Sequence, residues 1–275
     1  MCCLGTVLVN NMLGQQDRPP QAPAAQPFKD HFSGLAAQYS RFRPLYPPEL
    51  FEYLAGVCPR RERAWDCACG SGQASLPLAE WFESVVATDA SAEQIAAAPR
   101  HPRVVYSVAA AEQSGLEPAS VDLITVAQAL HWLDLERFYG EVRRVLRSGG
   151  ALAVWCYGRL EVEGREIDAP LQHFYHEVVG PCWPPERAQV EDGYSSLPFP
   201  FIELQAPSFS LHTEWSLAHL MGYLRSWSAT AAYLKQHGHD PVAPLEALLE
   251  PIWGGPELVR HIVWPISLRC GRPAP

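Results

Sequence analysis

At 275 residues the chain can bury a sizeable core, as one large domain or as a core with an elaborated cap. Its composition, 48% hydrophobic and 19% charged, is that of a soluble globular protein. The formal net charge is −9, from 21 basic and 30 acidic residues, with no block of Lys or Arg. That balance argues against a surface that grips a phosphate backbone, and so against a nucleic-acid substrate, but it permits a small anion in one local Arg pocket.

The start, "MCCLGTVLVNNML", is apolar but lacks the basic region and cleavage site of a secretory signal, and it is too short to span a bilayer. Vicinal Cys2 and Cys3 are weak candidates for palmitoylation. The eight cysteines form no CxxC pair, which reads as reduced thiols in a cytoplasmic protein. Residues 14–27, rich in Gln, Pro and Ala without periodicity, are expected to be a disordered tail, with folded structure from Phe28. Helical spacing follows around Phe32, Leu35 and Tyr39, then "RPLYPP", then a second helix from Glu49 to about Ala55, with Pro47 and Pro48 suited to its start.

From Ala64 the pattern alternates. Strands are expected at "AWDCA" (64–68), "VVATD" (85–89), "RVVYSV" (103–108), "VDLITVA" (121–127) and "ALAVWC" (151–156), with helices at 72–83, 91–98 and 134–147. Such alternation predicts a doubly wound, mostly parallel α/β sheet whose ligands bind at the carboxyl ends of the strands. After Tyr157 the alternation stops: helices are expected at 167–179, 216–226, 228–237 and 243–250, with strands at 207–213 and over "ELVRHIVWPISLRC". Pro265 favours an edge or a bulge for that last strand. The implied division is a tail over 1–27, lid helices and a cofactor core over 28–157, and a helical cap with the final strands over 158–275.

"AWDCACGSGQAS" (64–75) is the first chemical signal. Gly70 and Gly72 allow a sharp turn and close approach to a ligand. A dinucleotide fingerprint expects a third glycine where Ser75 stands, and a P-loop needs a Lys that is absent. Cys67 and Cys69 lack a second ligand pair, which argues against zinc. Asp66 would repel a phosphate beside this loop, whereas Asp89, ending the second strand, can accept ribose hydroxyls. Two carboxylates and a glycine turn suit S-adenosylmethionine, which carries an ammonium, a sulfonium and a ribose diol but no phosphate. The alternative is that Asp66 and Asp89 are only turn and capping residues.

On these residues the chain resembles the class I S-adenosylmethionine-dependent methyltransferases, in the small-molecule group (methyltransferase type 11) that includes trans-aconitate methyltransferases. "WDCACGSGQAS" is similar to the family's first motif, "VVATDASAEQI" to its second, "AAAEQSGLEPASVDLITVAQALHWLD" to the adenine-side loop and fourth strand, and "VLRSGGALAVW" to the fifth. Similarity extends to "YSRFRPLYPPEL", "CWPPER", "YLRSWSATAAYL" and "VWPISLR", and so over nearly everything from Phe28 onward. The resemblance implies a Rossmann-like seven-stranded sheet with an inserted helical cap. It implies cofactor contacts from Asp66, Ala68, Gly70, Gly72, Asp89 and Ala90, adenine contacts from Ala111 and Glu112, and Gln128 under the methionyl side. His131 and Trp132 would line the pocket floor near the transferred methyl, and Tyr39 and Arg43 would close over the cofactor.

Each of these has a plainer reading. Trp132 can be core packing, His131 a hydrogen-bonded structural histidine, and Tyr39 and Arg43 ties between the N-terminal helices and the sheet. Ala68 and Ala110 depart from the family's glycine and acidic residue, and Ser148 with Gly150 keeps the usual turn without its common proline.

Methyl transfer is a direct displacement in which placement alone can supply ~7–11 kcal/mol. A carboxylate nucleophile needs no base; an alcohol or carbon acid does, and His131 is the candidate. Trp183, Arg187, Tyr194, Trp215, Tyr223, Arg225, Trp227 and Tyr233 could form an aromatic pocket for a small, partly apolar anion, or only the core of the cap. The expected function is methylation of a small molecule, with a carboxylate suggested by analogy. A catalytically weak scaffold of the same fold is the alternative.

Overall fold

Five apolar runs rich in Val, Ile and Ala form the centre of the computed structural model, which describes residues 44–274. The expected tail over 1–27 and the segment carrying Tyr39 and Arg43 lie outside the described residues. The strands are β1 (Arg63–Cys67), β2 (Ser84–Asp89), β3 (Val104–Val108), β4 (Val121–Ala127) and β5 (Leu146–Tyr157), parallel in the order β3-β2-β1-β4-β5. All but the last residue of β4 are buried, as expected for a strand covered on both faces. The order reverses between β1 and β4, which opens the crevice where such sheets bind ligands.

Helices cover both faces. α1 (Pro48–Gly56) and α2 (Ser75–Trp81) pack Leu50, Leu54 and Leu78 on one side with Trp155; α3 (Ala92–Ala97) follows β2. On the other face α4 (Leu135–Val145) presents Phe138, Val142 and Val145 to Trp65, Ile124 and Val154. Ser91 and Asp134 cap α3 and α4 by accepting the amides of Gln94 and Arg137.

Beyond β5 the chain forms β6 (Glu161–Val162), α5 (Arg165–His173), α6 (Arg187–Glu191), β7 (Ile202–Glu203), β8 (Phe209–Ser216), α7 (Leu217–Arg225), α8 (Ser228–His237), α9 (Val242–Trp253) and β9 (Val259–Arg272). β9 runs antiparallel to β5, and β6, β7 and β8 also pair with it, making nine strands among the described residues where seven were expected. The two unexpected strands, β6 and β7, have two residues each, too few for a period to show. The helix expected over 167–179 contains Pro170 and changes at Phe174 into a wider turn, which buries the adjacent Phe174 and Tyr175 together.

β9 is internal to the sheet rather than an edge. Ile266 pairs with Tyr157 of β5 on one side and Phe209 of β8 on the other. Its Pro265 lies where the ladder on the β5 side is interrupted, between the Tyr157–Ile266 and Glu161–Val263 pairs, so the missing N–H falls where that side has no strand partner.

The base of the sheet is tied by one carboxylate. Asp122, nearly fully buried at the start of β4, accepts the amides of Glu62 and Arg63 at 3.0 Å each, and Arg147 donates to it at 3.0 Å. Asp122→Ala strands these donors, so it should lower the unfolding free energy by about 3 kcal/mol in urea titration. A loss under about 1 kcal/mol would show that the tie is dispensable.

Candidate cofactor and substrate site

The loop after β1 is shaped by left-handed backbone: φ is +53° at Ala68, +56° at Gly70 and +86° at Gly72. At Gly72 the reason is steric as well, since a Cβ would lie 2.3 Å from the Tyr106 hydroxyl of β3. At Gly70 a Cβ meets only Gln94 Oε1, at 3.8 Å, so the protein itself leaves room and the requirement is conformational. The Gly70 amide donates to Asp89 Oδ2 and the Ser91 amide to Asp89 Oδ1, each at 2.8 Å. Asp89 therefore binds the glycine loop to the end of β2. Ala90, beside it, is exposed.

Asp66 has no solvent exposure. Its Oδ2 accepts the Ser75 hydroxyl at 2.5 Å and its Oδ1 the Thr125 hydroxyl at 2.9 Å, joining β1 to α2 and β4 beneath the loop. Burial pushes its carboxyl up to about 6, partly offset by the two hydroxyls. The carboxylates of Asp66 and Asp89 lie close enough for Asp89 to raise the Asp66 value further.

The β3–β4 link carries the expected adenine-side residues. Ala111 is buried, and Glu112 accepts the Asp134 amide at 3.0 Å. The link is fixed by Glu141, which accepts both the amide (2.9 Å) and the hydroxyl (2.5 Å) of Ser114. The Arg144 guanidinium, with Ser114, holds the Glu141 carboxyl down to about 2 against burial.

At the end of β4, Gln128 adopts φ +57° and its side-chain amide brackets Tyr157: Nε2 donates to the Tyr157 carbonyl (3.1 Å) and Oε1 accepts the Tyr157 amide (2.8 Å). Gln128, His131 and Trp132 then form one wall of a cavity of about 70 Å³. Tyr157, Arg159, Tyr175, Trp183, Arg187 and Trp227 contribute to the other walls, and among the described residues no carboxylate lines it. Arg187 lies over Trp183 at 4.7 Å and over Tyr175 at 5.5 Å, and its Nε donates to the Tyr175 hydroxyl at 2.8 Å. The imidazole of His131 bonds the Tyr194 hydroxyl through Nδ1 at 2.9 Å. Burial, with the positive charge of Arg187, pulls His131 down to about 3, so the ring is neutral at neutral pH.

Of the cap residues singled out in sequence, Trp183, Arg187, Tyr223 and Trp227 line the cavity and Tyr194 reaches it through His131. Trp215 packs on Trp264, Arg225 pairs with Asp240 and Glu246, and Tyr233 contacts His237 and His239. Tyr157, Arg159 and Tyr175 were not singled out. The run "CYGR" continuing β5 past its apolar core was the available signal for the first two; nothing local marks Tyr175.

The residues fit S-adenosylmethionine. The loop offers close backbone approach and no Lys or Arg for a phosphate, and the nearby charges at the β1 and β2 ends are carboxylates that suit a cationic nucleoside.

Two outcomes follow from this geometry. Ala68 bears a left-handed cost of roughly 1–2 kcal/mol that glycine does not. Ala68→Gly should therefore raise the melting temperature by about 2–4 °C; an unchanged or lower value would show the strain to be relieved elsewhere. His131, neutral when folded, lets the unfolded chain bind an extra proton between its ordinary 6.5 and about 3. Its contribution is thus present above pH 6.5 and lost as pH falls toward 3, whereas Asp66 acts oppositely between 3.8 and about 6. Denaturant titrations should accordingly show a shallower acid loss in His131→Gln than in the wild type, by up to about 1 kcal/mol per pH unit. Parallel curves would show that His131 titrates normally.

Comparison with known proteins identifies the family. Residues 65–154 match the methyltransferase domain family. A Dictyostelium discoideum protein classed among methyltransferases is 36% identical over 231 residues, covering 82% of this chain and 88% of that protein. A Saccharomyces cerevisiae protein classed as an S-adenosylmethionine-dependent methyltransferase is 31% identical over 134 residues, 44% of this chain and 45% of the yeast protein. A solved structure from Anaeromyxobacter dehalogenans, assigned as a type II methyltransferase, superposes with a TM-score of 0.80 at 49% identity, covering 85% of this chain and all of that one. With the strand order, the glycine loop and Asp89 at the end of β2, these likenesses place the chain in the class I S-adenosylmethionine-dependent methyltransferases.

Proposed function

We propose that this protein transfers the methyl group of S-adenosylmethionine to a carboxylate oxygen of a small, partly apolar molecule. The observation that carries the reading is the cavity beside the β4 end: among the described residues it has two arginines, Arg159 and Arg187, aromatic walls and no acidic lining residue. An anionic head group fits that electrostatic setting, and Trp183, Tyr175 and Trp227 give an apolar body a surface to pack on. The resemblance to trans-aconitate methyltransferases points the same way.

When bound, S-adenosylmethionine supplies an electrophilic methyl on a sulfonium. A carboxylate oxygen forms the new bond to carbon with its own electron pair as the carbon–sulfur bond breaks, giving a neutral ester and a neutral thioether. No proton is moved. The task of the chain is to bind, align and exclude water, as Asp89 with the glycine loop does for the cofactor and the cavity walls do for the acceptor. Small-molecule rather than nucleic-acid substrate choice is supported by the net charge of −9. Among the described residues no helix is long and apolar enough to cross a membrane.

Calorimetry and thermal shift with S-adenosylhomocysteine test the cofactor half of the reading. At a hundredfold excess over its dissociation constant, the ligand should stabilise the protein by about 2.7 kcal/mol, a shift of roughly 5–10 °C. Asp89→Ala should weaken binding at least about a hundredfold, because the ribose acceptor and the tether of Gly70 are lost together. No shift in the wild type at millimolar ligand would instead favour the scaffold reading.

A further inference from the structure

We infer that Tyr194 fixes His131 as the tautomer with its proton on Nε2, so that His131 and Arg187 form a donor pair for the acceptor's carboxylate and His131 is not a base. The inference rests on the reading above and assigns Tyr194 a positioning role.

Tyr194 is completely buried, and among the described residues the hydrogen bond of its hydroxyl is the one to His131 Nδ1, at 2.9 Å. A buried O–H needs an acceptor, and with no other in reach among those residues the phenol donates its proton to that nitrogen. Burial holds the Tyr194 hydroxyl well above its ordinary range, so that proton stays in place. A neutral imidazole that accepts at Nδ1 carries its hydrogen on Nε2. Among the described residues no group bonds to Nε2, and His131 lines the cavity.

The support behind Tyr194 is rigid. Its φ is +64°, following Gly193 at +68°, a conformation that costs energy and persists only where the surroundings hold it. Arg269 supplies that hold: one Nη1 donates to the carbonyls of Tyr194 (3.0 Å) and Leu197 (2.8 Å), while Nη2 pairs with Glu203 at 2.6 Å. A chain of contacts from β7 and β9 thus ends on one imidazole nitrogen.

Across the cavity, Arg187 is stacked on Trp183 and engaged through Nε alone among the described residues, so its Nη donors are the cavity's second contribution. One fixed neutral N–H and one guanidinium match the two oxygens of a carboxylate. An alcohol acceptor would need its proton removed, and a ring already protonated on Nε2 and occupied on Nδ1 has no site to take it.

The test is nuclear magnetic resonance on the full chain, 15N-labelled at histidine and loaded with S-adenosylhomocysteine. Long-range proton–nitrogen spectra, with His131 assigned by the peaks missing from His131→Gln, should show the Nε2–H tautomer at neutral pH. Titration with butyrate and with benzoate should move its Nε2–H signals, whereas butanol and benzyl alcohol should leave them in place. Tyr194→Phe should convert the pattern to exchanging tautomers and weaken benzoate binding about tenfold, with S-adenosylhomocysteine affinity unchanged. An Nδ1–H or doubly protonated His131, or alcohols perturbing it as the acids do, would overturn the assignment, as would acids that leave it unmoved. If Tyr194→Phe fails to fold, the wild-type tautomer and the acid–alcohol comparison decide alone. Calorimetry of S-adenosylhomocysteine on the same samples keeps a failure here distinct from a failure of the cofactor reading.

Discussion

The reversal of strand order between β1 and β4 is the constraint on which the site depends, and a buried carboxylate spans it. Two parallel strands whose crossovers leave in opposite directions open a crevice at their carboxyl ends. Asp66 lies under that crevice, bound to Thr125 of β4 and Ser75 of α2. A carboxyl so far from water persists because both its oxygens accept hydroxyl hydrogens. Its partners are neutral, which leaves desolvation dominant and its pKa raised. With β1, β4 and α2 joined beneath it, the glycine loop above is positioned by a single further carboxylate, Asp89.

Strain gathers where the ligands would sit. Of the four non-glycine residues with positive φ among those described, Ala68 ends β1, Gln128 ends β4 and Tyr194 supports His131; Ala119 alone lies away, in the turn before β4. Each of the last-strand or cavity residues is held by bonds that repay its conformation. Gln128 is clamped to both backbone groups of Tyr157, and Tyr194 is clamped through Arg269. Ala68 has no such clamp among the bonds described, and its φ of +53° is one that glycine adopts without cost.

The sheet was legible because burial on both faces forces near-continuous apolar runs, and β4 is found over 121–127 as read. The place of Asp89 at the end of the second strand was legible too; its bonds there to the amides of Gly70 and Ser91 serve the turn-and-cap role that sequence also allowed. Asp66 was seen but its surroundings were not. Its hydroxyl partners lie 9 and 59 residues away, and no local pattern says that a strand-end carboxylate will be sealed rather than open. The same holds for His131, whose tautomer is set by a tyrosine 63 residues on. The environment that decides whether a histidine takes or keeps a proton is tertiary, and a sequence motif records only that the ring is present. At Gly70 the described residues leave room for a Cβ, so within the chain it is backbone handedness that calls for glycine.

The charge distribution separates how an acceptor arrives from how it is chosen. With a net charge of −9, the molecule as a whole repels an anion, so long-range steering cannot help a carboxylate find its way in. Screening limits that repulsion to about 8 Å in physiological salt. Inside the cavity the balance reverses, because Arg159 and Arg187 face no acidic neighbour among the described lining residues and His131 is held neutral by burial. On the proposed reading a neutral His131 also suits the reaction: an imidazolium would bind a carboxylate more tightly but would lower the electron density of the attacking oxygen. A neutral N–H would orient the head group while leaving its nucleophilic pair available, the compromise an alignment-driven transfer requires.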